Sequence, residues 1–197
     1  MWYNAGMQGE KIIALVGMMG AGKGSCTDYL HEKYGWPVVH FGNMIYEEVQ
    51  RRGLDNVKHE KMVREDMRAQ EGPAVLAIHV ARKAREHLKD GHGTVVLDGL
   101  YSWSEYKYLS DVFGDNLIVI AVVAPKKLRR QRVLDRKDAH RTYTLDEVIA
   151  REIAEIENLE KGGPIAYADY YVTNDGSKED MLRQLESIVQ DELKLPA

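Results

Sequence analysis

Residues 11–25 read KIIALVGMMGAGKGS, and this stretch decides the fold. Lys11–Val16 is a short apolar run closed by Gly17, which is typical of a strand buried on both faces. A helix is predicted over Ser25–Tyr34, and Gly35-Trp36-Pro37 stops it. A glycine-rich loop ending in a lysine, between a buried strand and a helix, is the context that a phosphate-binding loop requires.

The loop offers both backbone and side-chain groups to an anion. Its residues are Gly17, Met18, Met19, Gly20, Ala21, Gly22, Lys23, Gly24 and Ser25. Glycines let backbone N–H groups turn inward around phosphate oxygens, and the helix N-terminus adds partial positive charge. Lys23 supplies a full charge for the β- and γ-phosphates, and Ser25 is the hydroxyl expected to face Mg²⁺. We include Cys26 in the nucleotide-binding segment, where a thiol pKa can fall, although a small buried residue is its commoner role.

Composition excludes several classes of protein. The 197 residues carry 27 Lys and Arg against 31 Asp and Glu, a net charge of −4 that argues against a dedicated nucleic-acid binder. A single cysteine excludes an intramolecular disulfide and a cysteine-based zinc site, and the seven histidines form no metal-binding pattern and are expected at the surface or in packing. No apolar run reaches the roughly 18 residues of a membrane span. We expect a cytoplasmic monomer or homodimer with no nucleic-acid or membrane partner.

Strands alternate with helices along the rest of the chain. Further strands are predicted at Pro37–Phe41, Thr94–Leu97, Leu117–Ala124 and Tyr170–Thr173. Thr144 and Glu147 form a predicted capping box for a late helix, which Gly162-Gly163-Pro164 is expected to end. The alternation predicts a single domain over residues 1–197, with a three-layer α/β/α fold around a central parallel five-stranded sheet.

Polar residues after the later strands extend the candidate site. Asp98 ends an apolar strand, and ligands of α/β proteins bind at the carboxyl ends of parallel strands. A carboxylate there can hold Mg²⁺ beside a phosphoryl group. A basic stretch follows the longest apolar run and includes Arg132, Arg136 and Arg141, although a solvated basic face is an equally open interpretation.

The Gly22-Lys23-Gly24-Ser25 ending, Asp98-Gly99 and the basic stretch before a capped helix together resemble the P-loop nucleoside monophosphate kinase superfamily. The match is greatest with adenylate-kinase-related and dephospho-coenzyme-A-kinase-like proteins and runs from Lys11 to about Gly176. The resemblance implies Mg²⁺·ATP as cofactor and donor, a helical acceptor lobe over about 43–88 and a lid over about 132–145. It also implies catalytic roles for Lys23, Arg132, Arg136 and Asp98, metal contacts from Ser25 and Asp98, and nucleotide contacts from Arg132 and Asn174.

The acceptor side departs from that superfamily. Its members hold the acceptor phosphate with two arginines, whereas the equivalent positions here carry Asn43 with Tyr46, and Tyr101. Tyrosine donates a hydrogen bond but cannot make the bidentate contact of a guanidinium. The candidates to replace those contacts are Arg51, Arg64, Arg68 and Arg82, with Arg141 from the lid.

Three functions stay open from the sequence. The first is an ATP-dependent small-molecule kinase acting on a nucleotide or nucleotide-like acceptor. The second is phosphorylation of a hydroxyl, as in dephospho-coenzyme-A kinases. The third is a nucleotide-binding regulatory protein with a degenerate acceptor site, which the missing acceptor arginines favour and the retained lid arginines oppose.

Overall fold

The computed structural model describes residues 9–136 and 143–195. Its five strands form one parallel sheet of order β2-β3-β1-β4-β5. The strands are β1 (Lys11–Val16), β2 (Val38–His40), β3 (Thr94–Asp98), β4 (Leu117–Val123) and β5 (Tyr170–Thr173). The predicted three-layer α/β/α fold with a parallel five-stranded sheet is confirmed.

Helices cover both faces of the sheet. They are α1 (Lys23–Tyr34), α2 (Phe41–Arg51), α3 (Asn56–Glu71), α4 (Val75–Lys89), α5 (Trp103–Phe113), α6 (Lys126–Leu134), α7 (Leu145–Glu157), α8 (Gly162–Ala166) and α9 (Lys178–Ser187). A 3₁₀ turn at Gly114–Asn116 and a π-helical segment at Ile188–Glu192 complete the described elements. Helices α2 to α4 lie between β2 and β3, where the sequence predicts the acceptor lobe.

The two faces of β1 belong to separate hydrophobic clusters. Ile12 packs in a cluster that includes Leu76 of α4, on one side of the sheet. Ile13 points to the opposite side and belongs to a cluster with Leu30 of α1 and Leu185 of α9. Each of these side chains is fully buried. Alternating residues of one strand thus hold two helical layers, and the loop after β1 is anchored in the centre of the molecule.

Local signals at helix ends are partly confirmed. Thr144 caps α7 with the predicted capping box, because Thr144 Oγ1 accepts from the Glu147 N–H (3.3 Å) and Glu147 Oε2 accepts from the Thr144 N–H (2.7 Å). The role of Gly162-Gly163-Pro164 as a terminator is wrong, since α7 already ends at Glu157 and these residues open α8. Pro164 is tolerated there because the first N–H groups of a helix have no partner within it.

Two helices expose apolar side chains. Ile78 of α4 is 40% exposed, and Ile153 and Ile156 of α7 are 47% and 55% exposed.

None of the helices within residues 9–136 and 143–195 combines the length and the apolar character needed to cross a membrane. The predicted lid is described only on either side of residues 137–142.

Two leucines on helices provide a matched test of this packing. Leu109 of α5 is fully buried, whereas Leu145 of α7 is 48% exposed. We expect Leu109→Ala to lower the free energy of unfolding by about 2–5 kcal/mol because it leaves a cavity, and Leu145→Ala to change it by less than about 0.5 kcal/mol. Urea denaturation followed by circular dichroism measures both. Equal losses in the two variants would contradict this assignment of the core.

Candidate functional site

The loop after β1 takes its shape from a close approach to β4. Gly17 has φ +154°, and a Cβ at this position would lie 2.3 Å from the carbonyl oxygen of Val122. Only glycine fits there. Lys23 begins α1 and turns back across the loop, where its Nζ donates a hydrogen bond to the Gly17 carbonyl oxygen at 2.8 Å. The lysine and the first N–H groups of α1 therefore converge on one small volume, as an anion site requires.

The charge of Lys23 is poorly compensated. Burial, and then the nearby ammonium of Lys161, lowers the pKa of Lys23 to about 8, against the opposing influence of Asp98 and Glu155. The exposed Arg136 acts on Lys23 in the same direction as Lys161. A polyphosphate is the kind of ligand that would stabilise this concentration of positive charge.

Asp98 lies at the carboxyl end of β3, next to the end of β2. Its Oδ2 accepts a hydrogen bond from Nδ1 of His40, which is 3.1 Å away and opposite in the strand register. This hydrogen bond raises the pKa of His40 above its ordinary value. The sequence predicts the histidines at the surface or in packing, and the partly exposed His40 agrees with this, but its contact with Asp98 was not predicted. Its position as the last residue of an apolar strand was the signal.

The backbone of Met19 is hydrogen-bonded to helix α6 through its carbonyl oxygen and to helix α7 through its N–H group. Arg129 Nη1 donates to the Met19 carbonyl oxygen (3.3 Å) and to Glu152 Oε1 (2.7 Å), and both charged side chains are buried. On the other side, the Met19 N–H donates to Oε2 of Glu155 at 3.3 Å. The segment predicted to surround the lid thus contributes to the shape of the phosphate-binding loop.

Lys161 is a buried cation that the sequence analysis missed. It is 1% exposed, its Nζ lies 3.1 Å from Oε1 of Glu155, and the same nitrogen lies 4.8 Å from the ring centroid of Tyr101. Burial lowers its pKa. Nearby Gly163 fixes the backbone, because a Cβ there would lie 2.9 Å from the ring of Trp103. In the sequence this lysine has no feature that separates it from a surface lysine.

Asn174 joins the loop to the predicted lid helix. Its Nδ2 donates to the Ala21 carbonyl oxygen at 2.8 Å, while Nη1 and Nη2 of Arg132 donate to its carbonyl oxygen and Oδ1, each at 3.0 Å. Arg132 therefore lies on the Asn174 side of the loop. Arg136 is the described lid arginine whose charge reaches Lys23, and Arg141 lies outside the described residues.

Tyr101 and Arg68 meet Glu105 at the start of α5. The fully buried Glu105 carboxylate accepts from the N–H groups of Tyr101 (2.9 Å) and Ser102 (3.0 Å) and pairs with Nη2 of Arg68 at 3.1 Å. Burial raises the pKa values of Tyr101 and Glu105. Within the described part of the chain, Nε of Arg68 is buried without a hydrogen-bond partner. Arg68 thus connects α3 to the segment after Asp98.

Other residues predicted for the site are more peripheral. Asn43 and Tyr46 are exposed on α2, and the exposed Arg51 pairs with Glu48 of the same helix at 2.6 Å. Ser25 is half-buried in the first turn of α1. Cys26 has the commoner role, that of a small buried residue, because its side chain is fully buried and burial raises its thiol pKa to about 12.

Comparisons with known proteins assign this chain to a family. The family profile AAA_17, described as an AAA domain, matches residues 16–150. A UPF0200 protein of Pyrococcus abyssi is 34% identical over 181 residues, which cover 91% of this chain and 95% of that protein. The chain belongs to the AAA_17 and UPF0200 families. A UPF0200/UPF0201 protein of Archaeoglobus fulgidus is also 34% identical over 181 residues, and this UPF0200 chain spans 55% of its length.

Solved structures share the fold. TT1252 from Thermus thermophilus superposes with a TM-score of 0.67 at 23% identity, covering 96% of this chain and 100% of that one. The shikimate kinase from Acinetobacter baumannii in complex with shikimate superposes with a TM-score of 0.58 at 17% identity, covering 94% of each chain. These similarities confirm that the UPF0200 chain has a P-loop kinase-like fold.

The donor set of the loop suits Mg²⁺ bound together with phosphates. Within residues 9–136 and 143–195, no group of three or more His, Cys, Asp or Glu side chains is arranged to hold a metal. Mg²⁺ commonly takes one or two protein oxygens and completes its shell with water and substrate phosphates. The Ser25 hydroxyl and the Asp98 carboxylate are oxygen donors of this kind.

The His40–Asp98 contact can be tested by titration. We expect Asp98→Asn to lower the pKa of His40, because the amide removes the charge that stabilises the imidazolium. Since folding raises the pKa of His40, the pair stabilises the protein below the unfolded-state pKa and loses this contribution as pH rises through the folded-state value. NMR titration of the histidine side chains measures the change. The exposed Asp115→Asn is the control, and an unchanged His40 titration in Asp98→Asn would contradict the contact.

Proposed function

We propose that the protein is an ATP-dependent small-molecule kinase that transfers the γ-phosphoryl group of Mg²⁺·ATP to a nucleotide or nucleotide-like acceptor. The observation that carries this proposal is the convergence of Lys23, Asp98 and Lys161 on one edge of the sheet. For nucleotide binding alone, Lys23 of the loop would be enough. The carboxylate on the neighbouring strand and the second lysine beside Tyr101 extend the site toward an acceptor.

The residues present supply positioning and positive charge. In the transfer, an acceptor oxygen forms a bond to the γ-phosphorus, the bond from that phosphorus to the β–γ bridging oxygen breaks, and ADP leaves with the electron pair. Lys23 and the loop N–H groups are proposed to hold the β- and γ-phosphates, and Arg136 is proposed to approach them from the lid. Ser25 and Asp98 would hold Mg²⁺, which would neutralise phosphate charge. On the opposite side, Asn174 and Arg132 are candidates to contact the nucleoside.

The acceptor is proposed to bind between α3 and the segment after Asp98. Arg68 and Tyr101 line this side, where an anionic acceptor would find a guanidinium and a protonated phenol. A hydroxyl acceptor is the second candidate, because the Asp98 carboxylate, held by His40, presents a hydrogen-bond acceptor at the same edge. We propose that the acceptor is a small molecule, that neither nucleic acid nor membrane takes part, and that the protein acts in the cytoplasm as a monomer or homodimer.

A product-verified acceptor panel tests the reaction. ADP release is measured with Mg²⁺·ATP and each common ribo- and deoxyribonucleoside monophosphate, and with dephospho-coenzyme A, and the product masses are checked. One nucleotide acceptor that stimulates ADP release well above the acceptor-free rate supports the proposal. A phosphorylated dephospho-coenzyme A supports the hydroxyl alternative. Tight ATP binding with no product from any acceptor favours the regulatory interpretation.

Removal of the loop lysine tests the premise that all three functions share. We expect Lys23→Met to weaken ATP binding by at least about tenfold, because a charge-assisted hydrogen bond contributes about 1.5–3 kcal/mol. Calorimetry measures the affinity, and Lys127→Met, an exposed lysine of α6, is the control. Full ATP affinity in Lys23→Met would overturn the assignment of the loop.

A further inference from the structure

A carboxylate is hydrogen-bonded to the backbone of the phosphate-binding loop. Glu155 Oε2 accepts a hydrogen bond from the Met19 N–H, and Met19 is the third residue of the phosphate-binding loop. Backbone N–H groups of such a loop bind phosphate oxygens. One N–H cannot donate fully to both anions, and two anions in contact repel each other. Glu155 therefore has to move if a phosphate oxygen takes this N–H.

The partner of that carboxylate is Lys161. Its ammonium is buried, 3.1 Å from Glu155 Oε1, and it lies over the ring of Tyr101. Burying an ammonium is costly unless an anion pairs with it. When Glu155 leaves, Lys161 needs another anion. A phosphate that takes the Met19 N–H would stand where the Glu155 carboxylate now contacts both that N–H and the Lys161 ammonium.

The position of Lys161 assigns it to the acceptor end of a bound polyphosphate. Tyr101 follows Asp98 and lies on the side of the loop where the acceptor is proposed to bind. Arg132 and Asn174 lie on another part of the loop, near Ala21. Lys161 and Lys23 thus flank the terminal phosphates, whereas the Arg132–Asn174 pair belongs to the remainder of the nucleotide.

We infer that Lys161 is a second phosphate-binding lysine of this site, and that Glu155 holds it beside Met19 until the polyphosphate of a nucleotide replaces the carboxylate. The inference rests on the proposed function and adds a binding residue and an exchange of anions to it. Because Glu155 belongs to α7, which the capping box at Thr144 begins, the exchange also links phosphate binding to the helix that follows the lid.

Calorimetric titrations with ATP and with inorganic tripolyphosphate, both in the presence of Mg²⁺, test the exchange. We expect Glu155→Gln to bind both ligands about 3–10-fold more tightly, because the neutral amide no longer repels phosphate. Lys161→Met is expected to weaken both by about tenfold or more, and Lys161→Arg to recover most of the affinity. The matched controls are Glu157→Gln on α7 and Lys127→Met on α6, both exposed, and neither should change affinity.

Thermal unfolding of each variant separates binding from bracing. If Glu155→Gln lowers the melting temperature but leaves both affinities unchanged or weaker, the pair is a structural brace and the inference is overturned. Unchanged affinity in a folded Lys161→Met also overturns it. If Lys161→Met does not fold, the sign of the Glu155→Gln effect decides alone. Lys23-dependent ATP binding with no effect of Glu155→Gln rejects this inference and leaves the proposed function intact, whereas absence of ATP binding in the unaltered protein rejects both.

Discussion

Parallel pairing around β1 is the constraint on which the site depends. The register places Leu15 opposite Asp98 on one side, and the neighbouring β2 places His40 opposite Asp98 in turn. On the other side, the Asn174 N–H bonds to the Val123 carbonyl oxygen at the end of β4. All strands run in the same direction, so every one of these residues reaches the edge where the loop begins. The backbone hydrogen bonds of the sheet thus bring together the ends of five strands that are distant in the chain.

Buried charge is concentrated at that edge. Arg129 with Glu152 and Lys161 with Glu155 each place an ion pair within or beside the core. Such pairs seldom add net stability compared with apolar residues, because desolvation offsets their attraction. They do fix geometry, since an unpaired partner is strongly unfavourable in the same surroundings. Here the geometry that they fix is that of the loop backbone at Met19.

The sequence predicts those features that neighbouring residues determine. The phosphate-binding loop, the cap at Thr144 and the strand Tyr170–Thr173 depend on local spacing and all appear in the structure. Features that depend on register or on contact across the chain were missed. His40 matters because a neighbouring strand places Asp98 beside it, and Lys161 matters because the fold places its ammonium over the ring of Tyr101. No pattern within a few residues distinguishes Lys161, and the position of His40 at the end of an apolar strand does not reveal its partner.

Cys26 has a practical consequence for chemical labelling. It is the single cysteine and is fully buried, and burial raises its pKa to about 12, so the reactive thiolate is scarce at pH 7. We therefore expect maleimides and mild oxidants not to react with the native thiol. A cysteine introduced at an exposed position of α7, such as Ile156, would carry a fluorophore alone. The helix that follows the lid can then be followed by fluorescence in solution without first removing a cysteine from the core.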